Sequence, residues 1–115
     1  MKKETSILLK KAGIPNQIKG YEYLGEAVEM VVKDKNVIHA ITKELYPSVA
    51  KKFSTTPTRV ERGIRHAVTK SFDNMDPDTM YELFGNTISY HRGKATNAQF
   101  IAALSDVIRV AENEE

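Results

Sequence analysis

Three arginines repeat at three-residue spacing near the middle of the chain, at Arg59, Arg62 and Arg65. On an α-helix this spacing places all three guanidinium groups on one side. A guanidinium is a planar fork that can donate to both O6 and N7 of guanine, or hold a phosphate. Glu61, between the arginines, could accept a hydrogen bond from N4 of cytosine. The pattern indicates a helix face that binds DNA.

Hydroxyl side chains lead into this helix at Thr55, Thr56 and Thr58. Thr56 followed by Pro57 is typical of a helix start, because threonine accepts a hydrogen bond from a free backbone N–H and proline fits the first turn. Hydroxyls and free N–H groups at a helix N-terminus also bind phosphate. The three threonines are therefore predicted to contact the DNA backbone.

A helix predicted over residues 48–53, a turn over 54–56 and a helix over 57–72 have the dimensions of a helix-turn-helix, about residues 48–72. In such motifs the second helix enters the major groove and the first crosses the DNA backbone. Lys51 and Lys52 lie on the first helix, so they are predicted to contact phosphates.

A helical wheel divides residues 57–72 into an apolar and a polar face. The face predicted to be buried consists of Val60, Ile64, Ala67, Val68 and Ser71. The face predicted to be exposed consists of Thr58, Arg59, Glu61, Arg62, Arg65, His66, Thr69 and Lys70.

The charge distribution supports one anion-binding surface. Residues 43–70 contain seven Lys or Arg and two acids, a net charge of +5, whereas the rest of the chain carries −3.

Two other interpretations stay open. A basic helix face is often simply solvated, and Glu61 with Arg65 forms an i,i+4 pair that would support the helix alone. The alternative function is a helical protein-interaction module with a basic face and no specific DNA site.

Several classes of function are excluded or disfavoured. The chain has no cysteine, which excludes disulfides, cysteine-based zinc sites, iron–sulfur clusters and a thiol nucleophile. Its three histidines have no metal-ligand spacing and its six glycines form no phosphate loop. We therefore expect no enzyme and no cofactor or metal. No apolar run approaches 18 residues, so we expect no membrane partner. The absence of cysteine fits a reducing compartment, and the expected location is cytoplasmic.

The length of 115 residues predicts a single domain over residues 1–115. Residues that start and end helices recur along the chain, whereas the alternation of apolar and polar residues that is typical of strands does not. The predicted fold is therefore all-α with about six helices. The predicted helices before the helix-turn-helix cover residues 7–12, residues 18–33 and a segment capped by Asn36 that runs through Leu45. Those after it begin at Asp76-Pro77 and at the capping box Thr96 to Gln99. Thr87 to Tyr90 could form a short extended piece.

These residues resemble a known family, the C-terminal DNA-binding (effector) domain of the stage-zero sporulation master response regulators of spore-forming Firmicutes. The resemblance covers essentially the whole chain. The strongest match is Ser54-Thr55-Thr56 through Arg59-Val60-Glu61-Arg62-Gly63-Ile64-Arg65-His66-Ala67, which is similar to the family's recognition helix. Further matches include Gly13-Ile14-Pro15, Ile41-Thr42-Lys43-Glu44-Leu45-Tyr46-Pro47 and Leu83-Phe84-Gly85.

The resemblance implies a six-helical domain that binds a short DNA element, often in tandem copies, and activates or represses transcription at the onset of sporulation. By position it implies DNA contacts from Arg59, Glu61, Arg62, Arg65 and His66. It further implies a contact between residues 72–84 and an RNA polymerase sigma factor, and self-association on DNA near residues 100–107. Full-length members carry a metal-dependent receiver domain phosphorylated by a phosphorelay, which we expect to be absent here. Gly25 and Gly63 depart from the family pattern.

Overall fold

The computed structural model describes residues 1–85 and 95–113. Within these two ranges the regular elements are helical and include six α-helices, which confirms the predicted all-α class. The helices are α1 (Lys3–Lys11), α2 (Lys19–Lys33), α3 (Tyr46–Lys52), α4 (Pro57–Asn74), α5 (Pro77–Phe84) and α6 (Asn97–Asn113). The extended piece predicted at Thr87 to Tyr90 lies outside the described residues. None of the helices in the described ranges is both long and apolar enough to cross a membrane.

The centre of the fold is α2, which packs against both α4 and α6. Its side chains Leu24, Ala27 and Val28 are completely buried, as the three- and four-residue spacing of apolar residues predicts. Phe100 and Leu104 of α6 are likewise fully buried. The helix that carries the basic face thus rests on a rigid, close-packed support.

The segment between α2 and α3 differs from the sequence prediction. The prediction of an α-helix capped by Asn36 is wrong. Instead, the Asp34 carboxylate accepts a hydrogen bond from the Asn36 N–H at 3.1 Å and caps a 3₁₀ helix, Lys35–Ala40. A π-helical turn, Ile41–Leu45, follows. Pro47 accounts for the end of this segment: its ring lacks an N–H and clashes with the Lys43 carbonyl four residues earlier, so regular α-helical bonding cannot continue through the π-helical turn.

The last two helices begin as predicted. The Asp76 carboxylate accepts from the Thr79 N–H at 2.8 Å and caps α5, which ends at Gly85 with a φ of +53°. At α6 the Thr96 hydroxyl accepts from the Gln99 N–H, and the Gln99 side chain accepts from the Thr96 N–H. This reciprocal capping box fixes the start of α6.

Three phenylalanine rings join the C-terminal half of α4 to α5 and α6. The ring centroids of Phe72 and Phe84 are 5.7 Å apart, and those of Phe84 and Phe100 are 5.3 Å apart. Phe72 and Phe100 complete the triangle at 6.2 Å. Ring pairs at such distances stabilise a fold beyond the area that they bury, so the cluster anchors the end of α4.

Candidate nucleic-acid interface

A tight turn joins α3 to α4. Its first residue, Ser54, has a φ of +54°, a left-handed conformation that lets the chain reverse direction within three residues. The Thr55 N–H donates to the Ala50 carbonyl at 2.9 Å. The Thr56 hydroxyl accepts from the Arg59 N–H at 3.2 Å, and Pro57 occupies the first turn of α4. The predicted cap and turn are thereby confirmed.

The two faces of α4 follow the helical wheel. The residues predicted to be buried, Val60, Ile64, Ala67, Val68 and Ser71, are all buried. The exposed residues of the opposite face are Thr58, Arg59, Arg62, Arg65 and His66, with Glu61, Thr69 and Lys70 half-buried. The helix runs to Asn74, two residues beyond the predicted end. The three predicted arginines therefore share one solvent-facing side.

The helices α2 and α4 cross with almost no side chain between them. A Cβ built on Gly20 would overlap the Gly63 carbonyl oxygen, and a Cβ on Gly63 would lie 3.7 Å from the Gly20 Cα. Glycines allow such close approach of two backbones. This close contact leaves little room for a side chain at position 63 of α4.

The arginines of α4 have different surroundings. The Arg65 guanidinium pairs with the Glu61 carboxylate at 2.9 Å, one helical turn away. Both side chains are substantially solvated, so the pair contributes little to stability. Among the described residues, Arg59 and Arg62 have no salt-bridge partner. Two guanidinium groups are thus available to an outside ligand, and the third is oriented by Glu61.

The two lysines of α3 also differ. The Lys52 ammonium lies 2.6 Å from the Glu26 carboxylate of α2, and its hydrogen bond and charge attraction to Glu26 raise the pKa of Lys52. Lys51 is exposed, with no salt bridge in the described part of the chain. A phosphate approaching Lys52 would have to compete with the Glu26 carboxylate.

Sequence reasoning did not indicate that the start of α6 contacts both α3 and α4. The Asn97 side-chain Nδ2 donates to the Tyr46 hydroxyl at 3.0 Å and to the Glu61 main-chain carbonyl at 3.2 Å. Tyr46 is 7% exposed, and burial raises its pKa, with the Asn97 hydrogen bond acting in the opposite direction. These residues lie far apart in the chain, so no local spacing indicates the contact.

The sequence of this chain matches a known protein family. The model of the family described as the C-terminal domain of the sporulation initiation factor Spo0A matches residues 5–108. The chain belongs to this family. The Spo0A C-terminal family comprises helical, DNA-binding domains of a response regulator that controls transcription in sporulation. The resemblance predicted from the sequence is confirmed, and the match contains the whole of α3 and α4.

Proposed function

We propose that this Spo0A C-terminal domain recognises a specific DNA sequence by inserting α4 into the major groove, and thereby regulates the initiation of sporulation. One observation carries the proposal: α4 buries one face on α2 and presents Arg59, Arg62 and Arg65 to solvent on the other. A supported helix with a free polar face fits the major groove. A regulator of this kind works where the chromosome lies, which in a bacterium is the cytoplasm.

The side chains of α4 divide between reading bases and holding the backbone. Arg59 and Arg62, which have no salt-bridge partner in the described part of the chain, would donate to guanine or to a phosphate. Glu61 would orient Arg65 or accept from cytosine. His66 lies at the same exposed face and would contact a base edge or the backbone.

The residues before and at the start of α4 would fix the domain on the DNA. Thr55, Thr56 and Thr58 surround the N-terminus of α4, where hydroxyl and N–H groups favour phosphate. Lys51 and Lys52 lie on α3, the helix that would cross the backbone. All of these contacts are direct, so the proposed binding needs no metal and no cofactor, and EDTA would leave it unchanged.

Two protein contacts complete the proposal. Residues 72–84 would contact an RNA polymerase sigma factor. Tyr81 in this range is 60% exposed, which supports a surface available to a partner. Residues 100–107 of α6 would contribute to self-association of domains bound in tandem. The half-buried Ala103 and Val107 offer a modest apolar area for that contact.

Selection of bound sites from a random oligonucleotide pool tests the proposal. We expect enrichment of one short element, and a selected duplex that binds more tightly than a scrambled duplex of the same length. Affinity for both should fall as salt rises, with a log–log slope of about −0.9 per phosphate contacted. An unenriched pool, with no retardation of either duplex at low salt, would instead favour the protein-interaction module.

A further inference from the structure

Asn97 joins the first residues of two helices to the side of a third. It begins α6, Tyr46 begins α3, and Glu61 lies in the second turn of α4. An amide nitrogen has two N–H groups, and the two distances of 3.0 Å and 3.2 Å account for one donation to each partner. Both N–H groups of the Asn97 side chain therefore donate to the helix-turn-helix, one to α3 and one to α4.

The bond to Glu61 is made to the backbone, which gives it an effect on the whole helix. A carbonyl oxygen has two lone pairs, and the α-helical ladder uses only one. The Asn97 side chain donates to the second lone pair of the Glu61 carbonyl. This carbonyl lies at the border between the buried and the exposed face of α4. A fixed point at that border opposes rotation of α4 about its own axis.

Rotation of α4 would matter more for reading bases than for binding phosphates. A turn of about 20° moves a side-chain tip about 6 Å from the helix axis by about 2 Å. Bidentate bonds to a guanine edge do not survive such a displacement. Attraction to phosphates persists, because it depends on charge and not on a fixed register.

We propose that Asn97 is a positioning residue for sequence recognition: by holding the Glu61 carbonyl and the Tyr46 hydroxyl together, it sets the rotation at which α4 presents its arginines. The inference rests on the proposed function, since it concerns how the same helix reads DNA. Asn97 itself touches no base in this scheme. Its contribution is to the ratio of specific to non-specific affinity.

The test measures that ratio for Asn97→Ala on a selected duplex and on a scrambled duplex. We expect affinity for the selected duplex to fall about fivefold to tenfold, the effect of losing one or two hydrogen bonds. Affinity for the scrambled duplex should change less than about twofold, because phosphate attraction is retained. Should Asn97→Ala melt too low to assay, Asn97→Asp removes the donor and adds a charge that a helix N-terminus favours.

Gln99→Ala provides the matched control. Gln99 lies in the same first turn of α6 and completes the capping box with Thr96 at 2.9 Å, so its loss also weakens the start of α6. We expect a comparable drop in melting temperature and an unchanged affinity ratio. An equal fall of the ratio in Gln99→Ala would show that only general stability of α6 matters, and would overturn the positioning role.

The two proposals fail in different ways. If the wild-type domain selects no site, the proposed function fails. If the wild type selects a site and Asn97→Ala keeps the wild-type affinity ratio, the positioning role alone is overturned.

Discussion

Gly20 of α2 and Gly63 of α4 face each other across the crossing of their helices, and neither has room for a methyl group. A Cβ on Gly20 would overlap the Gly63 carbonyl oxygen, and one on Gly63 would lie 2.8 Å from Cδ2 of the Tyr23 ring. Glycine inside a helix costs about 1 kcal/mol relative to alanine. The close approach of the two backbones offsets this cost.

Substitution at this crossing should destabilise the fold. We expect Gly20→Ala to lower the free energy of unfolding by about 1–3 kcal/mol, because the obstructing atom belongs to the backbone and cannot rotate away. Gly63→Ala should cost less, since the Tyr23 ring can shift and alanine favours the helix. Urea denaturation of each variant gives these values.

Gly25→Ala is the control on the same helix. A Cβ there would meet the flexible end of the Met1 side chain and Cδ1 of Leu9 at 3.4 Å. Since Met1 can move, we expect no loss of stability or a gain of up to about 1 kcal/mol. A large loss in Gly25→Ala would show that glycine is needed throughout α2 and not only at the crossing.

Thr56 combines two roles that substitutions can separate. Thr56→Ala removes the cap on the Arg59 N–H and should cost about 1 kcal/mol of stability. Thr56→Asp keeps a capping oxygen and adds a favourable charge at the helix N-terminus, so stability should hold. The same charge should repel DNA phosphates and weaken binding to every sequence. Unchanged affinity in Thr56→Asp would place the phosphate elsewhere.

Arg62 is expected to read a base. Arg62→Ala should weaken binding to the selected duplex by about 1–3 kcal/mol and relax the preference at one base position. Titration of selected and scrambled duplexes, followed by repeat selection with the variant, measures both effects. Lys51→Ala is the comparator, since loss of a phosphate contact weakens all sequences alike. An equal loss on both duplexes in Arg62→Ala would refute base reading by Arg62.

Lys52 should gain affinity for phosphate when its intramolecular partner is removed. Glu26→Gln abolishes the carboxylate 2.6 Å from the Lys52 ammonium, and solvent screening makes an exposed ion pair of this kind weak. We expect tighter binding to selected and scrambled DNA alike, by up to about fivefold. Lys52→Ala should weaken both and flatten the salt slope by about one unit.

Glu82→Gln serves as the matched control for Glu26→Gln. It makes the same change in net charge on α5, where Glu82 pairs with Lys11 at 2.9 Å. If Glu82→Gln tightens DNA binding as much as Glu26→Gln does, the effect is one of net charge and Lys52 has no special part in it.

The hydrogen bonds of Asp76 predict that the stability of the folded domain depends on pH. Hydrogen bonds from the Thr79 backbone N–H and hydroxyl lower the pKa of Asp76 below its usual value. The folded state therefore favours the charged form, and Asp76 stabilises the fold above the unfolded-state pKa of about 4. This contribution is lost as the pH falls through the lower folded-state pKa.

Replacement of Asp76 by a neutral capping residue tests the predicted direction of this change of stability with pH. Asp76→Asn should show a shallower loss of stability than the wild type between about pH 5 and about pH 2, measured by thermal unfolding. Parallel curves for the two proteins would show that Asp76 does not contribute to acid sensitivity.

Local chemistry made much of this fold predictable. The caps at Thr56, Asp76 and Thr96 and the buried face of α4 depend on residues within one or two turns of each other, so their spacing in the sequence specifies them. The segment from Asp34 to Leu45 was wrongly predicted. Pro47 affects only the end of this segment, and the balance between α, 3₁₀ and π hydrogen bonding over the rest of it is not visible in periodicity.

The candidate site was predictable to the same depth. The exposed arginines follow from the wheel, but the pairing of Lys52 with Glu26 and the bonds of Asn97 do not. Those contacts join residues between 26 and 51 positions apart. Only the crossing of helices brings such residues together, and no pattern along the chain encodes which polar groups will meet there.

The central place of α2 has a consequence for synthesis. This helix is complete at Lys33, whereas α6, which covers part of its apolar side, begins at Asn97. At bacterial elongation rates, roughly 5–20 residues per second, several seconds separate the emergence of the two. Throughout that interval the apolar side of α2 that α6 covers in the folded domain stays exposed on the nascent chain.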